Sequence, residues 1–528
     1  MKYGFIIDNR KCIGCHACTV ACKSEHDVAI GVNRTWVKQV EKGVFPDTRR
    51  IFSVMRCNHC TDAPCVEICP TEALYIREDG IVDFNNERCI GCKSCMQACP
   101  YDSLYIDPKT STAAKCNYCS HRIDVGLEPA CVVICPEEAI VSGDMDNPNT
   151  KIAQLLSRQQ VKVRKPEKST KPNLFYIDGD ESSLNPSVTD RSENYIWSSQ
   201  AGGVGHYARY AQDASKKKSY EEMAKELGGD GSNNKPIEAI LGSIGTRRVY
   251  DTPDKGILWG WEVSAYVFTK AISAGLILVT ILSGWLNNAV SVNDQITFGI
   301  VSIVFLLATG LLLVKDLDQP KRFVYVLLRP HWSSWLVKGG YFITVFGALV
   351  FLWVVSLYFE WNTITQYVIY PTMVGGILVA VYTAFLFSQA RGRDFWQSPV
   401  LGIHMILHSV GAGAAILLAV YALRGDVNTI LSSLLLGTLI VNLITVFFEL
   451  YTPHPTEDSR RAAHMIVKGR YSTVFWGVVL ILGNIIPIIL LQWVPGTYSS
   501  IAASVLTMVG LFYINKIWVE APQRIPLT

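Results

Sequence analysis

Beyond Cys135 the 528-residue chain has no cysteine, and beyond Gly256 it has little charge. Residues 256–518 hold 14 Lys and Arg and 10 Asp and Glu, against 33 and 34 in residues 1–255. So thin a supply of charge excludes a soluble fold for the second half, and the lack of long apolar runs before residue 256 excludes membrane spans from the first. The formal net charge of +3 is too small for a nucleic-acid-binding surface. Ahead of Cys12 there is no apolar signal region, no twin-arginine pair and no small-residue cleavage site. The sixteen cysteines are therefore expected to ligate cofactors rather than to form disulfides in an exported domain.

They fall into four sets: Cys12, Cys15, Cys18 and Cys22; Cys57, Cys60, Cys65 and Cys69; Cys89, Cys92, Cys95 and Cys99; Cys116, Cys119, Cys131 and Cys135. The first and third read Cys-x-x-Cys-x-x-Cys-x-x-x-Cys, and Pro70, Pro100 and Pro136 each follow the last cysteine of a set. Three thiolates on one tight loop can grip three corners of a cuboidal cluster, while the fourth points to a neighbouring one. Structural zinc is the competing reading, but it needs two separated Cys-x-x-Cys pairs and has no use for a third cysteine at the same interval. The sets imply four 4Fe-4S clusters, and their spacing leaves open which set lends its last cysteine to which cluster.

Glu72 to Ile76 and Asp102 to Ile106 read as strands after Cys-Pro turns, and Gly80 to Phe84 as a returning hairpin. Two repeats of a small α+β ferredoxin-like unit fit residues 1–150. So little apolar core is expected that the clusters themselves would hold the unit together. Residues 151–255, with 17 basic and 14 acidic side chains, read as an extended polar linker or docking segment. Docking is expected around Lys171 to Ile177, mobility for Asp213 to Asn234, and a helix at Ser219 to Leu227.

Residues 256–528 carry eight apolar runs: 258–286, 296–314, 334–358, 367–387, 400–423, 430–448, 474–493 and 501–517. Each approaches or exceeds the length that crosses a bilayer, which gives an all-α eight-helix transmembrane bundle with both ends on one face. That face carries Lys315, Lys321, Arg322, Arg329, Arg391, Arg393, Arg460, Arg461, Lys468, Arg470, Lys516 and Arg524; the opposite loops offer only Arg424. By the positive-inside rule the cysteine-bearing domain faces the cytoplasm from the inner membrane.

Ionisable groups inside the spans are few and point to function. Glu262, Tyr266 and Lys270 share one face of the first run, at i, i+4 and i+8. They either line a quinone pocket or proton path, or form an interfacial Glu262 with a structurally paired Lys270. His404 and His408 make a second i, i+4 pair. No haem is expected there, because one helix face cannot supply both axial positions and no other histidine lies in the runs. Proton-linked quinone contacts and ordinary hydrogen-bonded packing remain as readings of that pair.

The segment Asp316-Leu-x-x-Pro320-x-Arg322, the Pro330-x-x-Ser333 approach to the third run and the eight runs together resemble the NrfD, or polysulfide-reductase, type of quinone-binding membrane subunit. Residues 1 to about 180, including Lys171 to Ile177, resemble the four-cluster electron-transfer subunit of the same molybdopterin oxidoreductase complexes. The resemblance therefore implies a fusion of two subunits. It implies an exchange of last cysteines, giving clusters on Cys12/Cys15/Cys18/Cys135, Cys116/Cys119/Cys131/Cys22, Cys57/Cys60/Cys65/Cys99 and Cys89/Cys92/Cys95/Cys69. It also implies a quinone, menaquinone for preference, near Glu262, Tyr266, Asp316, His331 and Tyr341. Lys270, His404 and His408 match no motif of the family.

The function expected is an electron-transfer and quinone-reacting subunit of a membrane-bound respiratory oxidoreductase, in contact with lipid, quinone and a molybdopterin-containing catalytic subunit. A reduced sulfur compound such as sulfite is the expected substrate of that partner. Two alternatives place the same module in a nickel-iron hydrogenase or in a proton-translocating, quinol-oxidising complex.

Overall fold

In a computed structural model of the chain, residues 1–44, 46–189, 246–286 and 290–528 are described. The expected mobile stretch and the helix at Ser219 to Leu227 lie outside them. Two compact units result: Met1–Leu258 with Pro526–Thr528, and Trp259–Ile525.

The first unit contains β1 (Tyr3–Asp8), β2 (Thr35–Val44), β3 (Asp47–Arg56), β4 (Leu74–Ile76), β5 (Val82–Phe84), β6 (Leu104–Asp107), β7 (Thr112–Lys115), β8 (Ile140–Asp144), β9 (Val161–Lys162), β10 (Leu174–Ile177) and β11 (Thr246–Tyr250). β4 pairs with β5 and β6 with β7 as small antiparallel ladders, the strands expected after the Cys-Pro turns. The main sheet has the order β8-β1-β10-β9, with β10 parallel to β1 in the register Phe5↔Leu174 to Asp8↔Ile177. Within the stretch 171–177, Leu174–Ile177 is thus an inner strand of the domain's own sheet. The alternation along β1 sends Phe5 and Ile7 to one core and Ile6 to another beneath the helix Lys151–Arg158.

The expectation of a nearly coreless domain is overturned. Phe5, Ile7, Trp36, Val37, Val54, Met55, Ile81, Leu174 and Tyr176 form one buried cluster. The long β2–β3 hairpin and residues 151–189 build that core, and neither is recognisable in the sequence as part of the ferredoxin repeats. Arg248 and Asp251 form a fully buried ion pair at 3.1 Å, and Arg248 also donates to the carbonyl of Thr528 at 2.8 Å.

Among its described residues the second unit has eight helices long and apolar enough to cross a membrane: Trp261–Trp285, Val292–Lys315, Trp335–Tyr358, Asn362–Gln389, Leu401–Leu423, Thr429–Tyr451, Val474–Trp493 and Thr497–Arg524, spans 1 to 8. Span 1 is the axis, with 78% of its apolar window buried against 28% for spans 2 and 3. Its Ala274, Ile277 and Ile281 belong to a buried cluster with residues of spans 2 to 4, while Ile272, Leu276 and Val279 belong to another made chiefly with residues of spans 5, 6 and 8. Spans 1 and 5 touch backbone to backbone: a Cβ on Gly275 would strike the carbonyl of Ser409, and one on Gly413 the carbonyl of Gly275. Span 7 opens into wide π-turns over Val474–Ile485 before Pro487.

Candidate functional site: thiolate cages and buried polar groups of the spans

The cysteine loops are shaped by backbone rather than by bulk. Gly14 and Gly91, between the first two cysteines of their sets, have φ of 72° and 70°. His16 and Lys93, just after the second cysteine, are left-handed at 61° and 60° and start the helices Ala17–Glu25 and Ser94–Ala98. His59 and Tyr118, at 43° and 63°, bend the other two loops. Such curls turn amide N–H groups inward, where a group rich in negative charge is accepted. Amide N–H groups already donate to thiols: His59 to Cys57 at 3.4 Å, Ala113 to Cys89 at 3.4 Å and Ala139 to Cys135 at 3.2 Å.

Three small cavities are lined by four cysteines each: Cys12, Cys15, Cys18 and Cys135; Cys57, Cys60, Cys65 and Cys99; Cys69, Cys89, Cys92 and Cys95. The remaining thiols, Cys22, Cys116, Cys119 and Cys131, lie within electrostatic reach of one another. Each group therefore draws three cysteines from one sequence set and one from another. Burial pushes the thiol of Cys57 up to about 11 and those of Cys18, Cys92 and Cys119 to about 12. Such groups become thiolates at neutral pH only against metal charge, so the donor sets fit iron-sulfur clusters.

Basic side chains that the motif reading passes over stand against these sulfurs. The Arg56 Nη1 donates to Cys131 Sγ at 3.0 Å, and His26 Nε2 lies 3.2 Å from Cys119 Sγ. Lys115 Nζ donates to the carbonyls of Val82 and Cys116. No spacing rule in the sequence signals Arg56 or His26, because the thiols they reach, those of Cys131 and Cys119, lie far along the chain.

In the spans, Glu262 and Lys315 are 3.7 Å apart at one end of spans 1 and 2, next to Asp316, which caps span 2. Tyr266 is buried, hydrogen-bonds Thr383 and lies within electrostatic reach of Asp316. One turn deeper, the buried Lys270 Nζ donates to Thr383 Oγ1 at 2.6 Å and to the Ala380 carbonyl at 3.1 Å. It also lies 4.6 Å from the centre of the Tyr382 ring. Thr383 thus joins Tyr266 and Lys270 into one seam. His331 and Tyr341 serve the segment before span 3: His331 Nε2 is 2.6 Å from Ser333 Oγ, and the Tyr341 hydroxyl donates to the Leu327 carbonyl at 2.8 Å.

His404 and His408 are buried in a second polar group. His404 Nδ1 is 3.1 Å from Glu449 Oε2, and His408 Nδ1 is 3.0 Å from Asn515 Oδ1. The rings meet edge to face at 4.2 Å. Asn442 donates to Asn484, whose own amide reaches the Val479 carbonyl inside the π-turns of span 7. Glu449 escapes the sequence reading because the apolar run of span 6 closes at Phe448. A largely apolar groove lined by Phe268, Ala415, Val420, Met508 and Phe512 lies between spans 1, 5 and 8 and takes in neither polar group.

Similarity to known proteins follows the same division. Residues 48–145 match a 4Fe-4S dicluster domain and residues 10–28 a 4Fe-4S binding domain. A tetrathionate reductase subunit of Salmonella typhimurium is 42% identical over 200 residues, 37% of this chain and 80% of the relative. A polysulfide reductase component of Wolinella succinogenes is 44% identical over 181 residues, 33% of this chain and 94% of the relative. The arsenate respiratory reductase iron-sulfur subunit ArrB of a Shewanella species is 35% identical over 225 residues, 34% of this chain and 96% of the relative. The protein is thus an iron-sulfur redox subunit of the respiratory type joined to a multi-pass membrane domain. With residues 252–523, half of its length, matching the polysulphide reductase NrfD profile, the chain belongs to the NrfD family.

Proposed function

We propose that this protein carries electrons between a molybdopterin-containing catalytic subunit, acting on a sulfur compound, and the membrane quinone pool, through four 4Fe-4S clusters. The observation that carries the reading is the gathering of all sixteen cysteines into four groups of four, each built from two sequence sets. When bound, the clusters supply one-electron carriers; the protein holds them by thiolate and amide N–H and excludes water from most of the sulfurs. The relatives named above belong to reductases of tetrathionate, polysulfide and arsenate, which favours a catalytic partner in a separate polypeptide.

In this reading quinone exchanges electrons at the Glu262, Tyr266, Lys270 and Asp316 seam, with Thr383 ordering it. Proton exchange between ring oxygens and side chains needs groups such as these, held by neighbours and shielded from lipid. The cluster-bearing unit faces the cytoplasm. The test is the complex extracted from membranes in mild detergent. Iron and sulfide for four clusters, molybdenum or tungsten in a co-purifying subunit, and cluster reduction by a menaquinol analogue are expected. Nickel in place of molybdenum would move the protein to a hydrogenase complex, and absence of cluster signals would overturn the electron-transfer reading.

A further inference from the structure

Arg56 ends β3 and is fully buried, in register with Thr35 of β2. Its guanidinium carbon lies 4.5 Å from the centre of the Phe5 ring, and Nη1 donates to Cys131 Sγ at 3.0 Å. Among the described residues no carboxylate hydrogen-bonds it, and Nε and Nη2 have no partner. The negative groups on which its charge acts are the sulfurs of Cys131, Cys116 and Cys18. The first two belong to the group formed with Cys22 and Cys119; Cys18 belongs to the neighbouring group with Cys12, Cys15 and Cys135.

Burying a guanidinium with no carboxylate beside it is expensive. That cost is offset here only if the thiolates facing it keep their negative charge, as they do when they ligate a cluster. The compensation is reciprocal. A buried positive charge and an N–H···S hydrogen bond both favour the form of the cluster that carries one more electron. Elsewhere the surroundings differ: Lys115 acts on Cys57 of the group with Cys60, Cys65 and Cys99, and the Cys69, Cys89, Cys92 and Cys95 cage is contacted by the amide of Ala113.

We propose that Arg56 is a positioning residue that raises the reduction potential of the cluster held by Cys22, Cys116, Cys119 and Cys131, making it an electron-holding step of the relay. The inference rests on the cluster assignment of the proposed function. The electron gained comes from the catalytic partner or from quinol in the working complex, and from dithionite in the test; no bond is made or broken. Lysine cannot replace Arg56 fully, because it lacks the planar fork that places one donor on Cys131 while its charge faces Cys18.

The experiment is a dithionite titration of the full-length protein followed by electron paramagnetic resonance, with iron content measured on each sample. A Cys119→Ser variant identifies the signal of the cluster in question. Arg56→Gln is expected to lower the midpoint of that signal and to leave the midpoints of the Cys57 and Cys69 clusters in place. Arg56→Lys is expected to lower it by less. If the glutamine variant does not retain iron, the lysine variant decides alone: a selective fall supports the assignment. Midpoints unchanged in an iron-replete variant, or all four shifted together, overturn it. Absence of any cluster signal in the unmodified protein would instead remove the proposed function itself.

Discussion

The Lys270 ammonium has three donors and finds two oxygens and an aromatic face, all neutral, on span 4. A proton leaving it would break no ion pair, and its neighbour on Thr383 is a tyrosine hydroxyl that could share the same path. Lys270→Ala should therefore lower quinol turnover by about 100-fold, the lower end of what a lost acid-base group costs. The cluster signals should stay intact, and turnover measured with a menaquinol analogue decides. Undiminished turnover would make Lys270 a packing element that fixes span 4 against span 1. Lys270 itself is legible in the sequence because a charge in an apolar run stands out. Its partners are not: Thr383 and Tyr382 look like ordinary residues of a hydrophobic run, and only the fold brings span 4 to span 1. Arg56 is hidden for the opposite reason, since an arginine in a charged domain attracts no notice until its burial is known.

At the scale of elements, period and length are enough for the eight spans, because a bilayer requires about 20 apolar residues whatever their order. The same logic does not reach residues 151–189, where docking is expected around Lys171 to Ile177 but no strand or sheet partner. That stretch is polar in composition, yet Leu174 and Tyr176 are fully buried beside β1, and Tyr176 donates to the Val54 carbonyl at 2.9 Å. A parallel strand that follows its neighbour only after a long intervening stretch of chain leaves no local mark. The packing of spans 1 and 5 is equally invisible, since glycine is common in membrane helices and only contact shows which glycines matter. Gly275→Ala should push span 1 off span 5 because its Cβ meets the Ser409 carbonyl, which is backbone and cannot rotate away. Overpacking of this kind costs about 1–3 kcal/mol. It should appear as a lower midpoint of thermal unfolding in detergent, whereas Gly284→Ala, where nothing stands within 4 Å, should be close to neutral.

For the whole molecule, orientation turns on where the basic loop residues lie. On the face shared by both ends of the bundle, Lys321, Arg322, Arg460 and Lys468 lie in or beside the segments joining spans 2 to 3 and 6 to 7. On the other face the one basic residue, Arg424, is bound to Asp294 at 2.5 Å, with the Tyr421 hydroxyl donating to the same carboxylate. The Ser291 hydroxyl donates to that carboxylate as well, at 2.8 Å, so Asp294 is held by three neighbours. The positive-inside rule counts Lys and Arg rather than net charge, so the asymmetry rests on the number of basic residues on each face and not on their pairing. A protease recognition sequence inserted at Gly425, where the chain is exposed and turns with φ of 83°, should be cut in intact spheroplasts and spared in inside-out vesicles. The reverse pattern would place the cluster-bearing unit outside the cytoplasm and with it the proton exchange of the quinone seam.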